Sequence, residues 1–245
     1  MSLTLAVSAR SDAGPVREHN EDAVFVAARL VAVADGVGGA AAGEVASEAA
    51  IGALHTLEKS LLRAPLDVAL AEAIVHADET IAFIASCRPA TAGMATTLTV
   101  VALDDDWLVA GVGDSRAYLL RDGALHRLTR DDTLVQELVE AGVLAAADAA
   151  RHPQRHVVTR VLDGALARPP RVERLFARAG DRVLLCSDGL TDVADDAAVA
   201  TALGLADRDA AADALLALAQ RNGARDNVSL VVADAVHAGP DAPRW

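Results

Sequence analysis

The chain contains 245 residues, 53% of them hydrophobic, and carries a formal net charge of −13 at pH 7. This apolar content excludes a disordered chain, and the negative charge excludes general affinity for nucleic acid or anionic lipid, which both attract positive surfaces. No apolar run approaches the ~20 residues of a membrane span, and residues 1–10 lack the pattern of a signal peptide. We therefore expect a cytoplasmic protein that binds neither nucleic acid nor membranes.

In chain order, the sequence predicts three strands, two long Ala-rich helices, four strands, a helix, two strands, a helix and a last strand. The predicted strands are Leu3–Ser8, Ala23–Ala27, Leu30–Ala34, Thr96–Leu103, Trp107–Val112, Ser115–Arg121, Ala124–Leu128, Arg171–Leu175, Arg182–Cys186 and Val228–Ala233. The predicted helices are Glu44–Leu62, Leu66–Ser86, Thr133–Ala141 and Asp207–Arg221. Adjacent helices and hairpin-linked strands favour an α+β fold with mainly antiparallel sheet.

Two cysteines, Cys87 and Cys186, each lie in an apolar run without a second Cys or His at the spacing of metal ligands. This pattern favours two buried free thiols over a disulfide, and free thiols suit a reducing cytosol.

Acidic residues stand at the ends of several apolar strands. Asp35 and Asp188 each follow such a strand and precede a glycine, Asp114 follows another, and Asp22 and Asp226 each precede one. A single Asp-Gly pair indicates only a turn. Where strand ends converge, however, clustered carboxylates repel each other unless a cation neutralises them. Carboxylates and backbone carbonyls form an all-oxygen donor set that favours Mg²⁺ or Mn²⁺ over Zn²⁺.

Two other enzyme classes share parts of this pattern. Residues 36–41 fit the glycine fingerprint of a dinucleotide-binding fold, but Asp35 would repel a pyrophosphate and the expected second acidic strand is missing. Ser115 follows Gly113-Asp114 as in a serine hydrolase, but the second glycine of that motif is absent. These two departures argue against a dinucleotide-binding enzyme and against a serine hydrolase.

The acidic residues belong to a series of motifs that resembles the bacterial metal-dependent serine/threonine protein phosphatases of the PP2C (PPM) family. The resemblance follows the family order over nearly the whole chain. The motifs are Gly14–Arg17 with Asn20–Asp22, Ala34–Gly39 with Gly43–Ser47, Gly93–Thr97, Gly113–Arg116, Leu128–Thr133, Cys186–Leu190 and Arg225–Val228.

The resemblance implies a fold and a set of residue roles. The fold is a sandwich of two antiparallel sheets with helices on both outer sides, with a flap at about 131–160. The sequence itself predicts one domain over residues 1–237, because the glycine and two prolines of residues 238–245 indicate a disordered tail. Two Mn²⁺ or Mg²⁺ ions would be bound, and in some bacterial members a third. Asp35 is implied as the ligand shared by the two ions, with the Gly36 carbonyl on the first ion and Asp188 and Asp226 on the second. Asp22 and Glu21 would contact metal through water. Asp114, with Asp188, would hold the third ion. Arg17 would bind the substrate phosphate, since its fork can pair two oxygens at once.

The activity implied is hydrolysis of phosphoserine and phosphothreonine by a metal-activated water, with proteins phosphorylated by a Ser/Thr kinase as substrates of a monomeric enzyme. The alternative is an inactive family member that serves as a binding or regulatory module. Two departures bear on this choice: Val37 stands where eukaryotic relatives carry His, and Asp131-Asp132 stands where many have Asp-His. In the flap, His152 and His156 are expected to lie in a solvated loop that contacts the scaffold, with metal ligation as the alternative.

Overall fold

The computed structural model describes residues 2–37, 42–60 and 65–238. The strands are β1 (Leu3–Asp12), β2 (Asp22–Val26), β3 (Leu30–Val37), β4 (Ala95–Thr96), β5 (Leu98–Leu103), β6 (Asp106–Val112), β7 (Arg116–Arg121), β8 (Ala124–Arg127), β9 (Glu173–Phe176), β10 (Arg182–Cys186) and β11 (Val228–His237). The helices are α1 (Ala42–Ser60), α2 (Leu66–Cys87), α3 (Leu134–Glu140), α4 (Ala146–Ala149), α5 (Asp188–Thr191), α6 (Asp196–Leu203) and α7 (Arg208–Arg221), with a 3₁₀ turn at Pro89–Thr91.

These strands form two antiparallel sheets. The first has the order β1-β11-β10-β7-β8, and the second has the order β2-β3-β5-β6-β9 with β4 paired to β3. The sheets pack face to face, helices α1 and α2 cover the second sheet, and α5, α6 and α7 cover the first. The α+β sandwich implied by the resemblance is thereby confirmed.

Both faces of the central strands are buried, which explains why they read as continuous apolar runs. In β3, Val31 and Val33 point into the layer between the sheets, whereas Ala32 and Ala34 face α1 and α2. Small residues on the helical side let the helices approach the sheet closely. The last residues of β3, which include Asp35, lie at the rim of the sandwich, where Asp35 pairs with Asp22 at the start of β2.

The elements differ from the sequence prediction where local pattern is weak. The predicted strand at 96–103 is divided at Thr97, whose N–H donates to the Asp35 carbonyl oxygen at 2.9 Å. Helices α4, α5 and α6 were not predicted, since each spans at most eight residues and shows no clear apolar period. Helix α6 is instead set by its N-cap, where the Asp195 side chain accepts the Ala198 N–H at 2.8 Å.

The prediction for the two cysteines was half wrong. Cys186 is buried in β10, and burial raises the pKa of its thiol to about 12, but Cys87 is exposed. Cys87 is the last residue of α2, where the helix reaches the surface. Both are free, as expected.

Both ends of the chain extend past the described residues. The predicted tail lies outside them from residue 239 onward, while the Ala238 N–H donates to the Ser2 carbonyl at 2.9 Å. The last two residues of the first predicted helix, 61 and 62, also lie outside. Across the ranges that the structure describes, no helix is both long and apolar enough to cross a bilayer.

Candidate metal centre

The predicted site residues converge on one cleft at the rim of the sandwich. It has a volume of about 820 Å³. Its lining includes Arg17, Glu21, Asp35, Gly36, Asp114, Asp188 and Asp226. Asp22 lies beside it, paired with Asp35 across β2 and β3. The strand ends therefore bring together residues that lie up to 209 positions apart in sequence, as the sequence pattern indicated.

Asp35 is held by its backbone from both sides. Its carbonyl oxygen accepts hydrogen bonds from the Thr97 N–H and the Thr96 hydroxyl, each at 2.9 Å, and its N–H donates to Thr97 Oγ1 at 3.1 Å. Thr97 Oγ1 also shares a hydrogen bond of 2.8 Å with Ser115 Oγ, next to Asp114. The two threonines thus fix Asp35 relative to Asp114. They lie in a recognised motif, but the sequence alone assigned them no role.

Asn227 is a second residue whose role was missed. Its Oδ1 accepts the Glu21 N–H at 2.8 Å, and its Nδ2 donates to the carbonyl oxygens of Ala13 and His19, each at 2.9 Å. These bonds hold the loop that carries Arg17 against the start of β11. The motif Asp226-Asn227 therefore contains a candidate ligand followed by a residue that positions the opposite wall of the cleft.

Burial and mutual repulsion raise the pKa of the clustered carboxylates. Burial, with repulsion from Asp22 first among the neighbours, raises the pKa of Asp35 well above its usual range. Burial and repulsion from Asp114 raise the pKa of Asp188 to about 8. Burial likewise raises the pKa of Asp22 and of Asp114 to about 6 each. The cluster is therefore costly to ionise in the metal-free protein.

The donor atoms fit a divalent cation. Asp22 Oδ2 accepts the Ser187 hydroxyl at 2.9 Å, but its buried Oδ1 has no hydrogen-bond partner among the described residues. An oxygen left in this state costs free energy, which a cation or its water shell would recover. The candidate ligands are all oxygen atoms, which suits Mg²⁺ or Mn²⁺. Glu21 lies at the edge of the cluster, where burial raises the pKa of its carboxyl.

Arg17 makes a contact that the sequence did not predict. Its Nη2 lies 2.6 Å from Asp226 Oδ2, with 53% and 45% of the two side chains exposed. The residue expected to bind phosphate is thus paired, in this structure, with a carboxylate expected to bind metal. A cation bound at Asp226 would compete with Arg17 for this carboxylate and would free the guanidinium for an anion.

The flap contributes His156 to the cleft. Its Nδ1 lies 3.1 Å from Asp192 Oδ2, and one donor atom each of His156, Asp188 and Asp192 lie within 4.8 Å of one another. His152 instead accepts the Gln154 N–H at 3.2 Å within the flap. For both histidines the sequence led us to expect a solvated loop that contacts the scaffold, and the His156–Asp192 contact is of this kind. Val37 lines the same cleft and is 46% exposed. Its side chain is aliphatic, so this position supplies no proton donor.

In excess chelator, the free energy of unfolding is expected to fall as the pH rises from about 5 to about 8. Unfolded aspartate titrates near 4, whereas folded Asp22, Asp114 and Asp188 keep their protons to about 6, 6 and 8. The folded state therefore binds more protons than the unfolded state in this window, and linkage makes stability fall with rising pH. Thermal melts across the window test this, and a rising Tm would contradict it.

Comparison with known proteins identifies the family. A family model described as protein phosphatase 2C matches residues 16–233. The serine/threonine protein phosphatase PstP of Mycobacterium tuberculosis is 45% identical over 237 residues, which are 96% of this chain and 46% of that protein. The chain thus spans about half the length of this relative. The serine/threonine phosphatase stp of Listeria monocytogenes is 35% identical over 95% of this chain and 98% of its own.

A solved structure gives the same result. The catalytic domain of PstP in complex with two manganese ions superposes with a TM-score of 0.89 and 43% identity, covering 96% of this chain and all of that one. Fold, order of motifs and sequence identity agree along nearly the whole length. The chain belongs to the protein phosphatase 2C family.

Proposed function

We propose that the chain is a metal-dependent protein phosphatase that hydrolyses phosphoserine and phosphothreonine. The observation that carries the proposal is the cluster of partly buried carboxylates, with an arginine beside it, in one open cleft. Membership of a family whose relatives are named serine/threonine phosphatases supports it. The proposed substrates are proteins that a Ser/Thr kinase has phosphorylated.

The residues assigned to two Mn²⁺ or Mg²⁺ ions are those that the motifs indicate. Asp35 would be a ligand of both ions, the Gly36 carbonyl would serve one of them, and Asp188 and Asp226 would serve the other. Asp22 and Glu21 would act through water, and Asp114 with Asp188 would hold a third ion. Bound divalent ions of this kind supply a water that is activated near neutral pH for attack on phosphorus. The two manganese ions in the PstP structure support the kind and the number of ions proposed here.

The protein's own groups orient the substrate and hold the cluster. Arg17, once released from Asp226, pairs two phosphoryl oxygens and stabilises the charge that develops on them. Asn227 keeps the Arg17 loop in reach of the centre, and Thr97 keeps Asp35 and Asp114 in register. Arg17 and the candidate ligands meet within one copy of the chain, and we propose that a monomer is active. We also propose the cytoplasm as its location, as the sequence led us to expect.

Turnover of phosphoserine and phosphothreonine peptides is expected to require Mn²⁺ or Mg²⁺. The carboxylate cluster would hold these cations, and a bound divalent cation is what would make a water reactive near neutral pH. Phosphate release is measured with a peptide panel in each metal and in excess chelator. Full activity after metal stripping would overturn the mechanism, and no release in any metal would favour the inactive binding module instead.

Replacing Arg17 by Ala is expected to lower kcat/KM by about tenfold or more, since a hydrogen bond to a charged group contributes roughly 1.5–3 kcal/mol. Arg17→Lys should lose less, because it keeps the charge without the bidentate fork. Arg88→Ala is the control, since Arg88 is exposed at the end of α2 and does not line the cleft. Wild-type kcat/KM in both Arg17 variants would show that another group binds the phosphate.

A further inference from the structure

Three arginines line the cleft, and two of them make no direct contact with a carboxylate of the described residues. Arg17 is paired with Asp226. Arg155, on the flap, and Arg225, just before β11, are exposed. Neither guanidinium makes an ion pair or hydrogen bond with any residue in the described ranges. By contrast, Arg116, Arg121 and Arg182 each bind a carboxylate. The cleft therefore presents two guanidinium groups whose donors are unused.

The backbone fixes Arg225 beside the reactive centre. The loop that follows α7 is tied to the end of α5, since the Asn222 side-chain amide donates to the Val193 carbonyl at 2.8 Å. Gly223 takes a φ of +81° in that loop, and the next residue, Ala224, is buried. Arg225 is thus held between a buried residue and the candidate ligand Asp226, at the wall of the cleft.

The flap brings Arg155 to the same region. The Arg155 N–H donates to the His152 carbonyl at 3.1 Å, and the next residue, His156, contacts Asp192. Arg155 also lines a second cavity of about 440 Å³ that shares Asp114, Asp188 and Asp192 with the cleft. The two arginines therefore approach the Asp192–Val193 segment from separate elements, one from the flap and one from the loop after α7.

One phosphate monoester does not account for all of these donors. In the proposed function, Arg17 and the cations satisfy its phosphoryl oxygens. Peptide residues on either side of the phosphorylated one must lie along the cleft walls, where Arg155 and Arg225 stand. A guanidinium pairs well with a carboxylate or a phosphate because its planar fork matches their oxygens. In a chain with a net charge of −13, a guanidinium group with free donors in the cleft favours an anionic ligand. Asp192 already attracts Arg155 at longer range, so Arg225 is the stronger candidate of the two.

We propose that Arg225, together with Arg155, recognises an anionic side chain near the target residue, so that acidic or doubly phosphorylated sequences are preferred substrates. This inference rests on the proposed function and specifies its substrate class. A flanking carboxylate and a second phosphate share the chemistry that the two guanidinium groups recognise.

The test compares three phosphothreonine peptides of equal length, with neutral flanks, with Asp and Glu flanks, and with a second phosphothreonine. Both kcat/KM and the Kd of non-hydrolysable phosphonate analogues are measured, at low and high salt. The wild type should prefer the two anionic peptides by about fivefold, the upper range for one exposed ion pair, and the preference should shrink in salt. The third peptide separates a phosphate from a carboxylate source.

Arg225→Gln should bring the anionic-to-neutral ratio close to one, mainly through KM, and Arg225→Glu should reverse it. Arg221→Gln is the matched control, because Arg221 is exposed on α7, lies outside the cleft and changes the net charge equally. Melting curves verify that each variant is folded. An unchanged ratio in Arg225→Gln, or an equal drop in Arg221→Gln, would overturn the inference. Absent turnover with intact Kd ratios would instead count against the proposed function alone.

Discussion

Asp35→Asn is expected to reduce phosphopeptide turnover by more than tenfold, which is about 1.4 kcal/mol of barrier, while leaving the metal-free fold intact. The proposed bridge contacts both cations, so loss of its charge weakens both at once. An amide is a poor bridge because its nitrogen is a donor rather than a ligand. The metal-free variant should be at least as stable as the wild type, since Asp35 is repelled by Asp22, Asp188 and Asp114.

Turnover in saturating Mn²⁺ and thermal melts in chelator are measured side by side. Asp105→Asn is the control, because Asp105 is exposed in the turn before β6 and the chemical change is the same. Retention of more than about a tenth of the wild-type kcat would show that Asp35 is not the bridge. A large loss of metal-free stability would show that its carboxylate supports the fold instead.

Gly189→Ala is expected to lower both metal affinity and thermal stability. Gly189 is buried in the first turn of α5, and a Cβ there would overlap the backbone carbonyl oxygen of Asn227. To relieve the overlap, the turn that carries Asp188 must move away from the strand that begins after Asp226. Overpacking of this kind costs roughly 1–3 kcal/mol, and a shifted Asp188 can no longer meet the same ion as Asp226.

Gly52→Ala provides the contrast. Gly52 is exposed in the middle of α1 and a Cβ there meets nothing within 4 Å, so the change should stabilise the helix by about 1 kcal/mol. Mn²⁺ affinity by titration calorimetry and Tm are measured for both variants. Wild-type affinity and Tm in Gly189→Ala would show that α5 and the Asn227 loop adapt to each other and do not determine the position of Asp188.

The sequence predicted the parts of the site that local pattern encodes. An aspartate that follows an apolar strand stays at the end of that strand when the fold forms, so Asp35, Asp188 and Asp226 could be placed at a common rim. The same holds for the main strands and long helices, whose apolar periods are strong. These features depend on a few neighbouring residues at a time.

Contacts between segments that are distant in sequence could not be predicted from local pattern. The pairs Glu21–Asn227 and Arg17–Asp226 join residues more than two hundred positions apart, and no local pattern specifies them. The exposure of Cys87 depends on where α2 ends relative to the surface. Likewise, only the fold determines that Arg155 and Arg225 make no direct contact with a carboxylate of the described residues.

The pairing of β1 with β11 has a consequence for how the protein is made. Among the described strands, β1 is at the edge of its sheet and pairs with β11 along all ten residues of each strand. During synthesis, β1 leaves the ribosome about two hundred residues before its partner. Such non-local pairing makes folding slow, because a long loop must close before the contacts are gained. Asp226, two residues before β11, leaves the ribosome together with this strand. The carboxylate cluster of a nascent chain, and the proposed activity that depends on it, should therefore be complete only at the last folding step.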